Sequence, residues 1–187
     1  MGNDATTEVA IPLSQRKIIL LLLGSIAFVL GSVWMWSIAD TQSHYRPLYV
    51  RGVAVAGAIF FGCCMIYGSI KLFDSRPGLI IDREGIFDNS SAVSAGRVSW
   101  CEITAIKISG VRRQRFVVIE VVDSRKYVER GGAFRRILNA VNAKMMGSPI
   151  CISANSLTMT FDELVYALTE GFATWKRRGE PGLSGRR

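Results

Sequence analysis

Two long uncharged apolar runs, Ile18 to Ala39 and Gly52 to Ile70, dominate the first part of the chain. Charge brackets both: Arg16-Lys17 and Asp40 around the first, Arg51 and Lys71 around the second. A helix rises ~1.5 Å per residue, so about 20 apolar residues cross a hydrocarbon core of ~30 Å. Each run therefore predicts a transmembrane helix, residues 18–39 and 52–70. The first run is longer than the apolar core of a signal peptide and carries Trp34 and Trp36 at its far end, where an interfacial aromatic belt would sit. The second holds Gly52, Gly57, Gly62 and Gly68, which weaken a soluble helix but are common in membrane ones. Residues 40–51 form a short loop, so the two helices make a hairpin. A tail, 1–17, precedes them. A linker, 71–77, follows, and fully extended it reaches only ~25 Å.

From residue 78 the pattern changes. Leu79-Ile80-Ile81-Asp82, a turn at Arg83-Glu84-Gly85, and Ile86-Phe87-Asp88 predict a β-hairpin. Asn89 to Gly96 is small and polar, a loop. Arg97 to Ile103 alternates, with Val98, Trp100 or Cys101, and Ile103 as inward candidates. Ala105 to Ser109 alternates again. Phe116 to Val122 is a dense β-branched strand after a basic turn at Gly110 to Gln114. Tyr127-Val128 predicts one more short strand. Phe134, Ile137, Leu138, Val141 and Met145 recur at helical spacing, and Gly147 and Pro149 stop that helix. Pro149 to Ser153 is a further strand. Thr160-Phe161-Asp162-Glu163 has the form of a capping box. The helix it opens runs through Leu164, Val165, Leu168, Phe172 and Trp175 to Lys176-Arg177-Arg178, cations suited to a helix C-terminus. Residues 78–178 thus form one domain of ordinary size, and 179–187 a flexible basic tail.

Charge adds an orientation. The 187 residues carry 23 Lys+Arg against 15 Asp+Glu, a net +8. Residues 78–187 hold 17 of the cations and 11 of the anions, so about +6 of the charge follows the hairpin. Close to the helices the cations are evenly divided: Arg16 and Lys17 before, Arg46 and Arg51 between, Lys71 and Arg76 after. Arg83, Arg97 and the basic remainder tip the balance toward cytoplasmic N- and C-termini. Four cysteines without a C-x-x-C pair, and a single histidine, His44, offer no metal cluster; unpaired thiols suit a reducing compartment.

The run of strands, one inserted helix and a closing helix resembles the bacterial pleckstrin-homology-like fold. The resemblance rests on Leu79 to Asp82 with Glu84-Gly85-Ile86, and on Val98-Ser99-Trp100-Cys101-Glu102-Ile103-Thr104-Ala105-Ile106. Arg76 to Leu79, Asp88 to Gly96, Pro149 to Ser153 and Phe161 to Leu164 add a similarity, over roughly residues 11–175, to a family of uncharacterised bacterial inner-membrane proteins built as a two-helix hairpin followed by this domain. The resemblance implies an α+β chain: two transmembrane helices, then a PH-like antiparallel barrel or sheet with an inserted helix and a C-terminal capping helix. It implies a bacterial inner-membrane location and assigns no catalytic residue, cofactor or metal. Two short modification patterns, myristoylation at Gly2 and glycosylation at Asn89, have no use in a bacterial cytoplasmic setting.

The functional lead is basic. Arg112, Arg113 and Arg115 crowd one hairpin turn, Arg125 and Lys126 another, and Arg135 and Arg136 open the inserted helix. Near an anionic leaflet each cation is worth ~1 kcal/mol. A solvated surface explains them equally well. Nucleic acid is disfavoured, because Trp100, Phe116 and Phe134 lie in apolar runs rather than among the charges. The polar loop Asn89, Ser90, Ser91 and Ser94 could meet a headgroup or peptide, but a turn bonded to its own backbone is the preferred reading. No nucleophile elbow, phosphate loop or zinc-helix motif is present. The expectation is a non-enzymatic binding or scaffold module, engaging a protein partner, its own copies or anionic lipid. The alternatives are an immunity or envelope-stress protein acting through its hairpin, and a membrane enzyme with a polar pocket of converging carboxylates.

Overall fold

The computed structural model describes residues 8–41, 45–111 and 114–179. These fall into two compact units, residues 14–75 and residues 8–13 together with 76–179.

The first unit is a helical hairpin, α1 (Gln15–Ser37) and α2 (Pro47–Leu72). α1 starts three residues before the expected 18–39 span and ends two residues short of it, and α2 outruns the expected 52–70 at both ends. Proline at the first helical position lacks an N–H the helix would leave unpaired anyway and holds its φ ready, so α2 starts at Pro47. The expected loop 40–51 is correspondingly shorter, and Arg51 lies inside α2. Its guanidinium pairs with Asp40 at 2.6 Å and sits 5.5 Å from the centre of the Trp36 ring. Lys71 and Leu72, expected in the linker, also belong to α2.

The helices pack on small residues and one ring pair. Phe28 and Phe61 stack with centroids 4.2 Å apart. A Cβ on Gly57 would stand 2.8 Å from the Ser32 hydroxyl oxygen, and one on Gly68 would touch Leu21 and Leu22, whereas Gly24, Gly31 and Gly62 meet nothing within 4 Å. Close approach therefore belongs to Gly57 and Gly68. The buried hydroxyls of Ser25 and Ser32 donate to the Leu21 and Phe28 carbonyls, so neither is left unsatisfied in an apolar setting. Outward, Leu20, Leu30, Ile59, Phe60 and Ile70 are each more than 60% exposed. A soluble surface does not carry so continuous an apolar face. By length and composition both helices could cross a membrane.

The second unit holds two antiparallel sheets and three helices. β1 (Val9–Ile11), β2 (Leu79–Ile81), β3 (Gly85–Asp88) and β4 (Gly96–Ser99) pair in that order. β5 (Ile103–Val111), β6 (Gln114–Val121) and β7 (Ile150–Ile152) form the other sheet. Between β6 and β7 come α3 (Ser124–Val128) and α4 (Ala133–Met146), and α5 (Phe161–Gly179) closes the described chain. The fold class is α+β: two apolar N-terminal helices, then antiparallel sheets and a C-terminal helix.

Local chemistry explains most boundaries. The Asp82 carboxylate accepts from the Glu84 and Gly85 amides and forms the β2–β3 turn. A Cβ on Gly85 would lie 2.0 Å from the Val98 carbonyl oxygen, so only glycine lets β3 and β4 approach there. Gly147 ends α4 with φ +82°, a left-handed stop. The capping box forms as expected: the Thr160 amide donates to the Glu163 carboxylate and the Glu163 amide to the Thr160 hydroxyl. Leu164 and Leu168 of α5 are fully buried together with Ile86, Val98, Val117, Ile119, Ile150 and Ile152, drawn from both sheets.

Three expectations are corrected. Tyr127-Val128 is the end of α3, not a strand; the Asp123 carboxylate accepts from the Arg125 and Lys126 amides and converts the turn into a capped helix. Trp100–Glu102 is a single 3-10 turn between β4 and β5, so Trp100 points into the core and Cys101 out. The segment 1–17, expected to be a tail, contains β1. Val9, Ala10 and Ile11 pair antiparallel with Ile81, Ile80 and Leu79. The Gly78 amide donates to the Ile11 carbonyl at 2.9 Å, the Thr158 amide donates to the Pro12 carbonyl at 3.2 Å, and Leu13 bridges to Leu157. Ile11 and Leu13 are buried.

Candidate functional site

Of the basic residues expected to form one contact surface, the three that are described, Arg115, Arg135 and Arg136, have individual structural partners. Arg115, on β6, ion-pairs with Asp162 at 3.1 Å and lies 4.4 Å from the centre of the Phe161 ring, joining the sheet to the start of α5. Arg135 Nε donates to the Ala92 carbonyl, and Arg136 Nε to the carbonyls of Glu129 and Gly131. Arg112 and Arg113 lie outside the described residues, as do His44 and the segments 1–7 and 180–187.

The polar loop is organised from beneath. The Asp88 carboxylate, 3% exposed, accepts from the Ser90 amide, the Ser90 hydroxyl and the Ala95 amide. Ser94 donates to the Ser91 carbonyl and accepts from the Ser91 amide, while the Ser156 hydroxyl donates to the Ser90 carbonyl at 2.5 Å. Asn89 Nδ2 donates to the Pro77 carbonyl at 3.4 Å. These bonds are the turn-type bonding preferred from sequence: Ser90 and Ser94 are buried and face inward.

Two carboxylates elsewhere are also structural anchors. Burial works to raise the Asp82 carboxyl, but hydrogen bonds from Arg97, Glu84 and Gly85 and the Arg97 charge outweigh it and hold it below the ordinary aspartate range. Arg97 reaches Asp82 at 2.5 Å and Glu84 at 3.0 Å. Hydrogen bonds from Lys126 and Tyr127 lower Glu102 despite the opposing desolvation. Burial and the Glu102 hydrogen bond raise the Tyr127 phenol, and Arg130 lies 4.4 Å from the centre of its ring. Burial pushes the Cys151 thiol up to about 11.

Asp82 carries a pH prediction. Its folded value is lowered, so its stabilisation is fully present above the ordinary aspartate value of ~3.9 and lost as pH falls through the lowered value. Asp82→Asn should lower the denaturation midpoint at pH 6, with the gap to the unaltered protein closing as pH falls below the ordinary aspartate value of ~3.9 and through the lowered one. A gap of constant size across that range would show that the carboxylate charge is not what matters.

One concave feature of this unit is a groove of about 360 Å³ between α5 and the β1–β2 edge. Trp100, Ile81 and Gly171 lie along it with Tyr166 and Trp175, and Arg83, Glu170 and Arg178 supply exposed charge. Sequence reading missed it. The helical periodicity of α5 shows which residues share a face, but Val9 carries no signal: nothing in a three-residue run indicates a strand completed by residues some seventy positions later. Among the described residues no group of three His, Cys, Asp or Glu side chains is placed to hold a metal ion.

Fold and surface together define an α+β protein with two helices long and apolar enough for a bilayer and a domain built from the segments that precede and follow them. Comparison with protein-family models, with curated proteins and with solved structures gives no match.

Proposed function

We propose that this chain is a non-catalytic binding module anchored in a bacterial inner membrane, with a PH-like domain on the cytoplasmic side. The observation that carries the reading is the pairing of β1, which precedes α1, with β2, which follows α2. A strand entering the hairpin and a strand leaving it share backbone hydrogen bonds, so the chain must return to the side from which it left. Two crossings satisfy that requirement and one does not. The surplus of cations after the hairpin favours the cytoplasmic side. Two antiparallel sheets with a C-terminal helix packed against strands of each support the PH-like assignment. Asp82, Asp88, Glu102 and Glu163 are each committed to caps, turns or ion pairs, which supports binding over acid–base chemistry. The groove under α5 is large enough for part of a peptide or small ligand.

Topology tests this directly. Single cysteines at Ala10, Glu129 and Tyr45, placed in the full chain with its four native cysteines replaced by alanine, are exposed to a membrane-impermeant maleimide. Ala10→Cys and Glu129→Cys should label together in inverted vesicles, and Tyr45→Cys only in right-side-out spheroplasts. Labelling of positions 10 and 129 from opposite faces would end the proposal.

A further inference from the structure

The helix α4 carries an apolar stripe on the outside. Ile137 is 63% exposed, Val141 45% and Met145 64%. These positions follow one another at four-residue intervals and so lie on one face. The inward side is mixed: Leu138, Ala143 and Met146 are half-buried beside Asn139, which is 3% exposed and donates from Nδ2 to the Tyr127 carbonyl at 3.1 Å. Near the helix end the Ser109 hydroxyl approaches the Met146 sulfur. Leu138, Ala143 and Met146 already serve the domain's own packing, so the exposed Ile137, Val141 and Met145 form a second apolar stripe that the core does not use. Placed as they are, the three aliphatics call for an external apolar phase.

Charge selects the phase. Residues 133–146 contain Arg135, Arg136 and Lys144 and no Asp or Glu. None of the three makes an ion pair among the described residues, and the carbonyls that hold Arg135 and Arg136 leave their positive charge intact. Aliphatics on one face with Lys144 flanking them, Arg135 and Arg136 at the start of the same helix, and no acid, describe a helix suited to a headgroup layer. The chain supplies that layer itself. Leu13, still bridged into this domain, is two residues from the start of α1, and only residues 73–78 separate α2 from β2. We infer that α4 docks its Ile137–Val141–Met145 stripe into the interface of an anionic bilayer. This rests on the membrane-anchor reading above and deepens it by naming the partner: anionic phospholipid, held by α4.

The test uses the full chain with its native cysteines replaced by alanine, reconstituted in vesicles of phosphatidylcholine with 30 mol% phosphatidylglycerol. An environment-sensitive fluorophore is attached at Val141→Cys, or at Glu129→Cys as the exposed reference. At position 141, iodide quenching should fall at least threefold below that at 129, and a nitroxide carried on the lipid should quench 141 selectively. Arg136→Glu with Lys144→Glu should return 141 to the accessibility of 129. Equal iodide quenching at both positions overturns the proposal. Shielding at 141 that persists in neutral detergent and rises with protein concentration also overturns it, because a second copy would then be the occupant. Carbonate extraction of the same vesicles separates the two readings. A chain that resists extraction with a wet position 141 refutes only the α4 contact; an extractable chain refutes the anchor and the contact together.

Discussion

Replacing Trp100 with alanine is expected to destabilise the domain by about 4 kcal/mol, within the range for deleting a large buried aromatic. Trp100 is 1% exposed and sits where three elements meet. Its Nε1–H donates to the Asp82 carbonyl at 2.9 Å, fastening the 3-10 turn to the β2–β3 turn. Its ring lies 5.8 Å from that of Phe172 on α5, which in turn stacks on Trp175 at 5.9 Å. Gly171 makes room for it: a Cβ there would stand 3.1 Å from the indole. Removing the ring leaves a cavity that α5 cannot fill without giving up Leu164 and Leu168. Trp100→Phe separates the contributions, since it keeps most of the ring contact and loses the hydrogen bond, at a cost nearer ~1–2 kcal/mol. The measurement is the denaturation midpoint of the purified chain in detergent. A Trp100→Ala midpoint within error of the unaltered protein would show that α5 does not depend on this contact.

The second large effect is expected at β1. Ile11→Asp should cost about 3–4 kcal/mol, combining the lost aliphatic burial with a carboxylate placed among apolar side chains. Ile11 is 4% exposed, whereas Ala10 faces the other way and is exposed. Ala10→Asp should therefore change stability by less than ~0.5 kcal/mol. The pair discriminates between a strand and a loose tail. With β1 paired, limited proteolysis before α1 should be slow in the unaltered chain and in Ala10→Asp, and fast in Ile11→Asp. Equal cleavage in all three would mean that the residues before the hairpin are not held by the sheet.

The effect at β1 concerns the proposed anchor, because β1 precedes α1 and its partner β2 follows α2. Of the described basic candidates, Arg115 is paired with Asp162 and Phe161, and Arg135 donates to the Ala92 carbonyl. The outward stripe of α4 is a more economical candidate, since it presents apolar and cationic groups on a single helix.

Much of this architecture was legible from residue order. The apolar runs of the hairpin, the β2–β3 turn at Asp82 to Gly85, the stop at Gly147 and the Thr160–Glu163 cap all follow from interactions within a few residues of each other, where sequence spacing and spatial distance agree. The preference for a self-bonded loop at Asn89 to Ser94 also came from local chemistry, although the buried Asp88 that organises it did not stand out. Sequence was silent wherever the partner is remote. β1 is three residues long, too short for a period, and is a strand only because Leu79 to Ile81 lies beside it. The rotation of α4 is of the same kind: periodicity shows that Ile137, Val141 and Met145 share a face, but the sheet and α3 decide which face turns inward. Arg115 looks like part of a cationic turn until α5 brings Asp162 to it. What the sequence alone determined, then, were most of the elements, the ends set by local caps and turns, and which residues of the longer helices share a face. Tertiary structure decided what each side meets, because burial is a property of neighbours that the chain brings together only by folding.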